Sequence, residues 1–244
     1  MFLTPDWEAP ANIKAYTTLR RQGGISLPPY DDFNLAAHVG DNPEHVATNR
    51  QRLATALGLP EEPIWLKQTH STIVVEALPK NRDTTADASF TTHPHGVCAV
   101  LTADCLPILL CDKNASQVAA VHAGWRGLAD GVIEATLQTF SIPKKNILAW
   151  LGPAIGPQQF EVGKEVYDIF VTQNAQAAHA FTTHTQQTWL ADIYALARLR
   201  LRAQGVTAIY GGNFCTFTEA DRFFSYRRDQ GRTGRMASLI WLET

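Results

Sequence analysis

A chain of 244 residues, 45% hydrophobic and 18% charged, has the balance of an ordinary globular protein that buries a sizeable core without covalent staples, which excludes disordered and fibrous classes. With 21 Lys plus Arg against 23 Asp plus Glu and a formal charge of -2, nothing draws it to nucleic acid or an anionic membrane in general, so a small-molecule substrate is expected. The opening MFLTPDWEAPANIKAYTT lacks a basic stretch followed by an apolar run, no segment approaches the about 18 apolar residues of a membrane span, and the four cysteines, Cys98, Cys105, Cys111 and Cys215, form no CxxC pair, so a cytoplasmic protein with reduced thiols is expected.

The first predicted element is an amphipathic helix within Asn42 to Leu59, where Val46, Leu53 and Leu57 share a face and Gly58 marks the end. Strand-like apolar runs follow at Ile64 to Lys67, Thr72 to Ala77, Val97 to Thr102, Ile108 to Cys111 and Val118 to Val121. A helix is predicted from Leu128 to Phe140, a strand from Ile147 to Leu151, a helix from Trp189 to Gln204 ending at Gly205, and a strand from Ala208 to Tyr210 leading into GGNFCTF. Strands grouped centrally with helices on both sides predict an α/β or α+β layered domain with a central mixed β-sheet. The thirteen prolines are spread out and no linker or repeat interrupts the chain, so a single domain over residues 1–244 is expected. Neither GxGxxG nor GxxxxGK[ST] occurs, so the usual dinucleotide and P-loop cradles are absent.

Three segments place metal-type ligands at or near strand ends: His70 in KQTH, Cys105 in TADC and His122 in VHAGWRG. Two imidazoles and a thiolate suit zinc, and three protein ligands leave a fourth position open for water or substrate. The intervals of 35 and 17 residues match no short zinc motif, so the spacing leaves two readings open. In the other, the histidines are hydrogen-bonded residues at strand ends and Cys105 is a core thiol, although the carboxylate of Asp104 beside it needs a polar setting. In Gly124-Trp125-Arg126-Gly127, a strand passes to a helix start where free N–H groups and Arg126 favour an anion. His93-Pro94-His95 is the only HxH among eight histidines, too few for a multicopper oxidase, and reads as an exposed loop. Cys98 and Cys111 fall in apolar runs and are expected in the core.

RQGGIS at 21–26, FNLAAHVGD at 33–41, KQTHS at 67–71, ADAS at 86–89, TADCLPILLCD at 102–112, VHAGWRG at 121–127, LGPAIGP at 151–157, and SYRRD with TGR near the end stand in this order along the chain. Together they resemble the YfiH-like, laccase-domain family, labelled multicopper polyphenol oxidases and later recognised as purine nucleoside phosphorylases. The resemblance covers nearly the whole chain and implies the YfiH-like, cysteine-hydrolase-like fold. It puts the zinc ligands on His70, Cys105 and His122, with copper the lesser alternative, and turns Arg21 and Asn34 towards the active site. Arg126 joins the ligands as a catalytic residue, and Asp104 and Gly124 join Arg21 and Asn34 as substrate-binding candidates. Ser71 stands where the family often has glycine.

The activity implied is phosphorolysis of adenosine or inosine to the base and ribose 1-phosphate, with adenosine deaminase and methylthioadenosine phosphorylase side activities. Zinc lowers the pKa of bound water to about 7, which suits attack at the amine-bearing carbon of adenine. Partners are a purine nucleoside and phosphate, with no nucleic acid or membrane. The alternatives are a cysteine amidohydrolase acting on a peptidoglycan precursor, with Cys105 as nucleophile and His122 as base, a copper polyphenol oxidase, and a non-catalytic binding domain.

Overall fold

The computed structural model describes residues 2–243. Its first strand, β1 (Ile13–Thr17), is followed by helix α1 (Pro43–Leu57). The limits of α1 follow from its residues: the Asn42 side chain accepts a bond from the Glu44 N–H, Pro43 occupies the first turn, and Gly58 closes the helix in the left-handed region at φ 58°. Val46 and Leu53 are buried as expected. Between them the buried Asn49 donates to Ser26 Oγ and to the carbonyls of Asp32 and Asn34, which pins the preceding loop onto the helix.

There follow β2 (Val74–Glu76), β3 (Ala88–Thr91), β4 (Cys98–Thr102), β5 (Leu106–Asp112), β6 (Val118–Ala123), α2 (Trp125–Asp130), α3 (Val132–Gln138) and β7 (Ile147–Leu151). The last third holds β8 (Glu161–Gly163), α4 (Lys164–Gln173), β9 (Phe181–Thr183), β10 (Thr188–Ala191), α5 (Ile193–Ala203), β11 (Ala208–Gly211) and β12 (Met236–Leu242). A six-stranded mixed sheet runs β11-β7-β5-β6-β3-β2, with parallel pairs at its two edges and antiparallel pairs between. An antiparallel sheet, β1-β12-β4, packs on one of its faces, and β8-β10-β9 forms a third, small sheet.

The alternation of side chains along a strand assigns each layer its contacts. Leu106, Ile108 and Leu110 of β5 pack with helices α2 to α5. Leu109 and Cys111, on the opposite face, pack with Val100 of β4, Ile240 of β12 and Ile13 of β1. The outer face of the β1-β12-β4 sheet, Ala99, Leu101, Leu239 and Trp241, is covered by Leu53 of α1 and by Phe33 and Leu35. Every residue of β4, β5 and β6 is consequently buried, which is why these strands read as unbroken apolar runs. Cys98 and Cys111 lie in this core, fully buried.

Two expected helices differ. The segment expected as Leu128 to Phe140 starts earlier and breaks at Gly131, whose φ of 103° cannot continue a helix, giving α2 and α3. The segment expected as Trp189 to Gln204 begins as strand β10, with Trp189 stacked on Tyr167 at 5.0 Å. Only after Asp192, whose side chain accepts from the Ala195 N–H, does α5 begin. Ile64 to Lys67 makes only isolated bridges, Ile64 to Cys98 and Lys67 to Thr85, rather than a full strand. Among the described residues no helix is long and apolar enough to cross a membrane.

Candidate metal centre and its cavity

Strand register brings two of the three expected ligands together. β5 and β6 are antiparallel, with Leu106 opposite Ala123 and Pro107 opposite His122. Cys105, immediately before β5, therefore meets His122 near the end of β6, and the 17-residue interval is the length of one strand pair and its turn. His70 reaches them from a loop rather than a strand, and its Nε2 lies 3.6 Å from Cys105 Sγ. The ring centroids of His70 and His122 are 4.9 Å apart, and one ligand atom from each of the three residues lies within 4.8 Å of the others.

The residue that assembles them is Asp87, fully buried just before β3. Its Oδ2 accepts from the N–H groups of Thr69 and Ser71 at 3.1 and 2.6 Å and from Ser71 Oγ at 2.7 Å. Its Oδ1 accepts from the His70 N–H at 2.9 Å and from His122 Nδ1 at 2.7 Å. One carboxylate thus holds the 69–71 turn, in which His70 takes a left-handed φ of 63°, and fixes the tautomer of His122 so that Nε2 is free to ligate. Burial pushes the Asp87 carboxyl up, but the bonds from His122 and Ser71 outweigh it and hold the group well below the usual carboxylate range. Ser71 contributes one of those bonds through its hydroxyl.

Electrostatics couples the ligands. Burial raises the Cys105 thiol, yet the charge and hydrogen bonds of His122 and His70 bring it below its ordinary value. Burial lowers His122, and the Cys105 thiolate and Asp87 more than reverse that. The donor set fits a metal ion: two imidazole nitrogens and a readily formed thiolate converge, with a carboxylate behind one imidazole.

Gly124 and Gly127 account for the GWRG motif. A Cβ at Gly124 would overlap the His70 ring, lying 2.7 Å from its Nε2 and 3.1 Å from Cys105 Sγ, and one at Gly127 would lie 3.1 Å from the Ser71 carbonyl oxygen. Both glycines let α2 approach the 70–71 turn.

The three ligands line a cavity of about 410 Å³, a size suited to a small ligand. Trp125, Ile155, Phe160 and Tyr226 supply apolar and aromatic wall, while Arg126, Arg227, Arg235 and His38 supply cationic or polar groups. Arg126 is exposed and stacked over Trp125 at 4.2 Å. Asp104 lines the cavity at φ 83°. Its two oxygens are taken by Thr216 Oγ1 at 2.6 Å and the Arg227 N–H at 2.7 Å, so it ties the 216–227 segment to the site.

Arg21 and Asn34 depart from their expected position and do not line the cavity. Arg21 is exposed and faces Asp31 at 3.8 Å. Asn34 is fully buried, its side chain bonded to Ala36, Asp41 and the Arg235 N–H. His93 and His95 are exposed, and His93 faces Glu76 at 3.4 Å. Among the described residues His70, Cys105 and His122 are the one group of three or more that could hold a metal. Cys215 lies apart from that group, its sulfur accepting from the Gly156 N–H at 3.3 Å.

Fold and site together define a layered α/β protein with a His-Cys-His metal-type centre opening on a cavity. Residues 15–243 match the family described as multi-copper polyphenol oxidoreductase laccase, and the chain belongs to that laccase-domain family. A relative from Escherichia coli strain K12, named purine nucleoside phosphorylase YfiH, is 53% identical over 241 residues, 98% of either chain. One from Haemophilus influenzae, named purine nucleoside phosphorylase, is 50% identical over 243 residues, 99% of either chain. Among solved structures, Neisseria meningitidis protein NMB0706 superposes with a TM-score of 0.95 at 51% identity, covering 100% of this chain and 99% of that one. YlmD from Geobacillus stearothermophilus gives 0.91 at 30% identity, covering 96% and 93%.

Proposed function

We propose that the chain is a zinc-dependent purine nucleoside phosphorylase that converts adenosine or inosine and phosphate into the base and ribose 1-phosphate, and that also accepts methylthioadenosine and deaminates adenosine. In this reading His70, Cys105 and His122 are the zinc ligands, and residues 1–244 act as one catalytic unit in the cytoplasm. The observation that carries it is one cavity combining the His-Cys-His group, a partly aromatic wall and three arginines, Arg126, Arg227 and Arg235. The names of the relatives support the same reading.

The residues divide the work by their chemistry. The arginines hold and orient an anionic phosphate, and the aromatic wall takes the flat face of a purine. A phosphate oxygen bonds to the anomeric carbon of the ribose as the carbon–nitrogen bond breaks, and the base leaves with the electron pair and takes a proton. When bound, zinc supplies Lewis-acid stabilisation of charge at its open coordination position. Asp87 keeps His122 in the ligating tautomer, and Gly124 keeps the space clear. Chromatography of adenosine incubations with and without phosphate is the test: adenine and ribose 1-phosphate are expected only with phosphate, and inosine in both. Adenine formed equally in phosphate-free buffer would mean hydrolysis and overturn the assignment.

A cysteine amidohydrolase is the second reading, favoured by the Cys105 to His70 distance of 3.6 Å and the lowered thiol. Chelation separates the two. On the zinc reading it abolishes nucleoside turnover, exposes Cys105 to iodoacetamide, and is reversed by zinc. Full turnover by metal-free protein, or an acyl adduct on Cys105, would favour the amidohydrolase.

A further inference from the structure

The three cavity arginines are not equivalent. Arg126 is exposed on Trp125, and Arg227 is exposed with its Nη1 on the Glu161 carbonyl. Arg235, from the TGR motif, is partly buried and anchored on two sides. Its N–H is held by Asn34 Oδ1 at 3.0 Å, and its Nη1 donates to the carbonyls of Thr233 and Gly234 at 2.8 and 3.0 Å. Nη2 and Nε carry no hydrogen bond to the described residues. A Cβ at Gly234 would lie 2.6 Å from the Phe224 ring and 2.9 Å from Asn34 Cβ, so the segment is packed tightly against its support.

No carboxylate among the described residues stands within ion-pair distance of Arg235. Burial opposes its charge, and of the anionic groups around it the Cys105 thiolate acts most strongly, ahead of Tyr226 and Asp104. The Arg235 side chain lines the same cavity as His70, Cys105 and His122. His38 lines the same cavity and is held below its ordinary pKa by partial burial and by the charges of Arg235 and Arg50, so it adds a neutral hydrogen-bonding group.

We infer that Arg235, with His38 on the same cavity lining, is the principal phosphate-binding group of this site, and that Asn34 is a positioning residue that acts through it. The inference rests on the phosphorylase reading and names the group that recognises its anionic substrate. The FNLAAHVGD and TGR motifs, distant in sequence, then serve one contact.

Inorganic phosphate itself is the probe. With the zinc-loaded full chain, phosphate is expected to raise the melting temperature of the wild type and not of Arg235→Gln. In turnover, Arg235→Gln is expected to raise KM for phosphate at least about tenfold, the loss of one charge-assisted contact, with KM for the nucleoside changed less than threefold. Arg235→Lys, which keeps the charge but loses the fork, is expected to fall between and guards against a variant that does not fold. Equal stabilisation of wild type and Arg235→Gln by phosphate, or equal rises of both KM values, would overturn the inference. Phosphate stabilisation that depends on Arg235, in a protein forming no ribose 1-phosphate, would uphold the anion site while sinking the phosphorylase reading.

Discussion

At the scale of single residues, the site rests on Asp87 as much as on the three ligands. Five hydrogen bonds converge on its carboxylate, from Thr69, His70, Ser71 twice and His122. Asp87→Asn removes the charge behind His122 and places an amide where acceptors are needed. Zinc affinity is expected to fall about 10- to 100-fold, the usual effect of losing such a partner, measured by competition with a chromophoric chelator. Unchanged affinity would show that the loop holds its ligand without the carboxylate. The sequence made His70, Cys105 and His122 visible because their donor chemistry is distinctive. Asp87 was hidden, since one Asp in ADAS carries no sign of which N–H groups will surround it. Asn34 misled in the opposite way: its motif pointed to the site, but its side chain is spent on Ala36, Asp41 and Arg235.

The elements follow the same logic of local signal against tertiary context. Strands β4 to β7 were legible because burial on both faces demands apolar runs. β8 and β9, of three residues each, are too short to show a period, and α4 and β12 were not anticipated at all. The α2–α3 break was misread because the apolar spacing runs through Gly131, whereas its φ of 103° stops the helix. That position supplies a clean test. A Cβ there would meet nothing closer than 3.5 Å, so Gly131→Ala should cost about 1–2 kcal/mol from backbone strain alone. Urea unfolding is expected to show a lower midpoint at unchanged m-value, with metal content retained. An unchanged midpoint would contradict the strain argument.

For the whole molecule, two packed sheets and two helical layers bring residues from 38 to 235 around one cavity, and the coupled charges there set a pH dependence. Near neutrality the metal-free site holds one proton between Cys105, lowered, and His122, raised. Metal binding needs a thiolate and a neutral imidazole, so it expels that proton. Between the lowered pKa of Cys105, about 6, and the raised pKa of His122, about 9, zinc affinity should therefore rise about tenfold per pH unit, and the dependence should flatten above that window. Affinity falling as pH rises would contradict the sign. The arrangement of layers was legible in outline from the grouping of strands and helices, whereas the convergence of Arg235 on the cavity of the metal centre depends on the pairing of β12 with β4 and could not be read from spacing. The most direct measurement is elemental analysis of protein purified without added metal. About one zinc per chain is expected, lost in Cys105→Ser, while less than about 0.2 zinc per chain at neutral pH would contradict the metal centre, given how tightly such a ligand set should hold the ion.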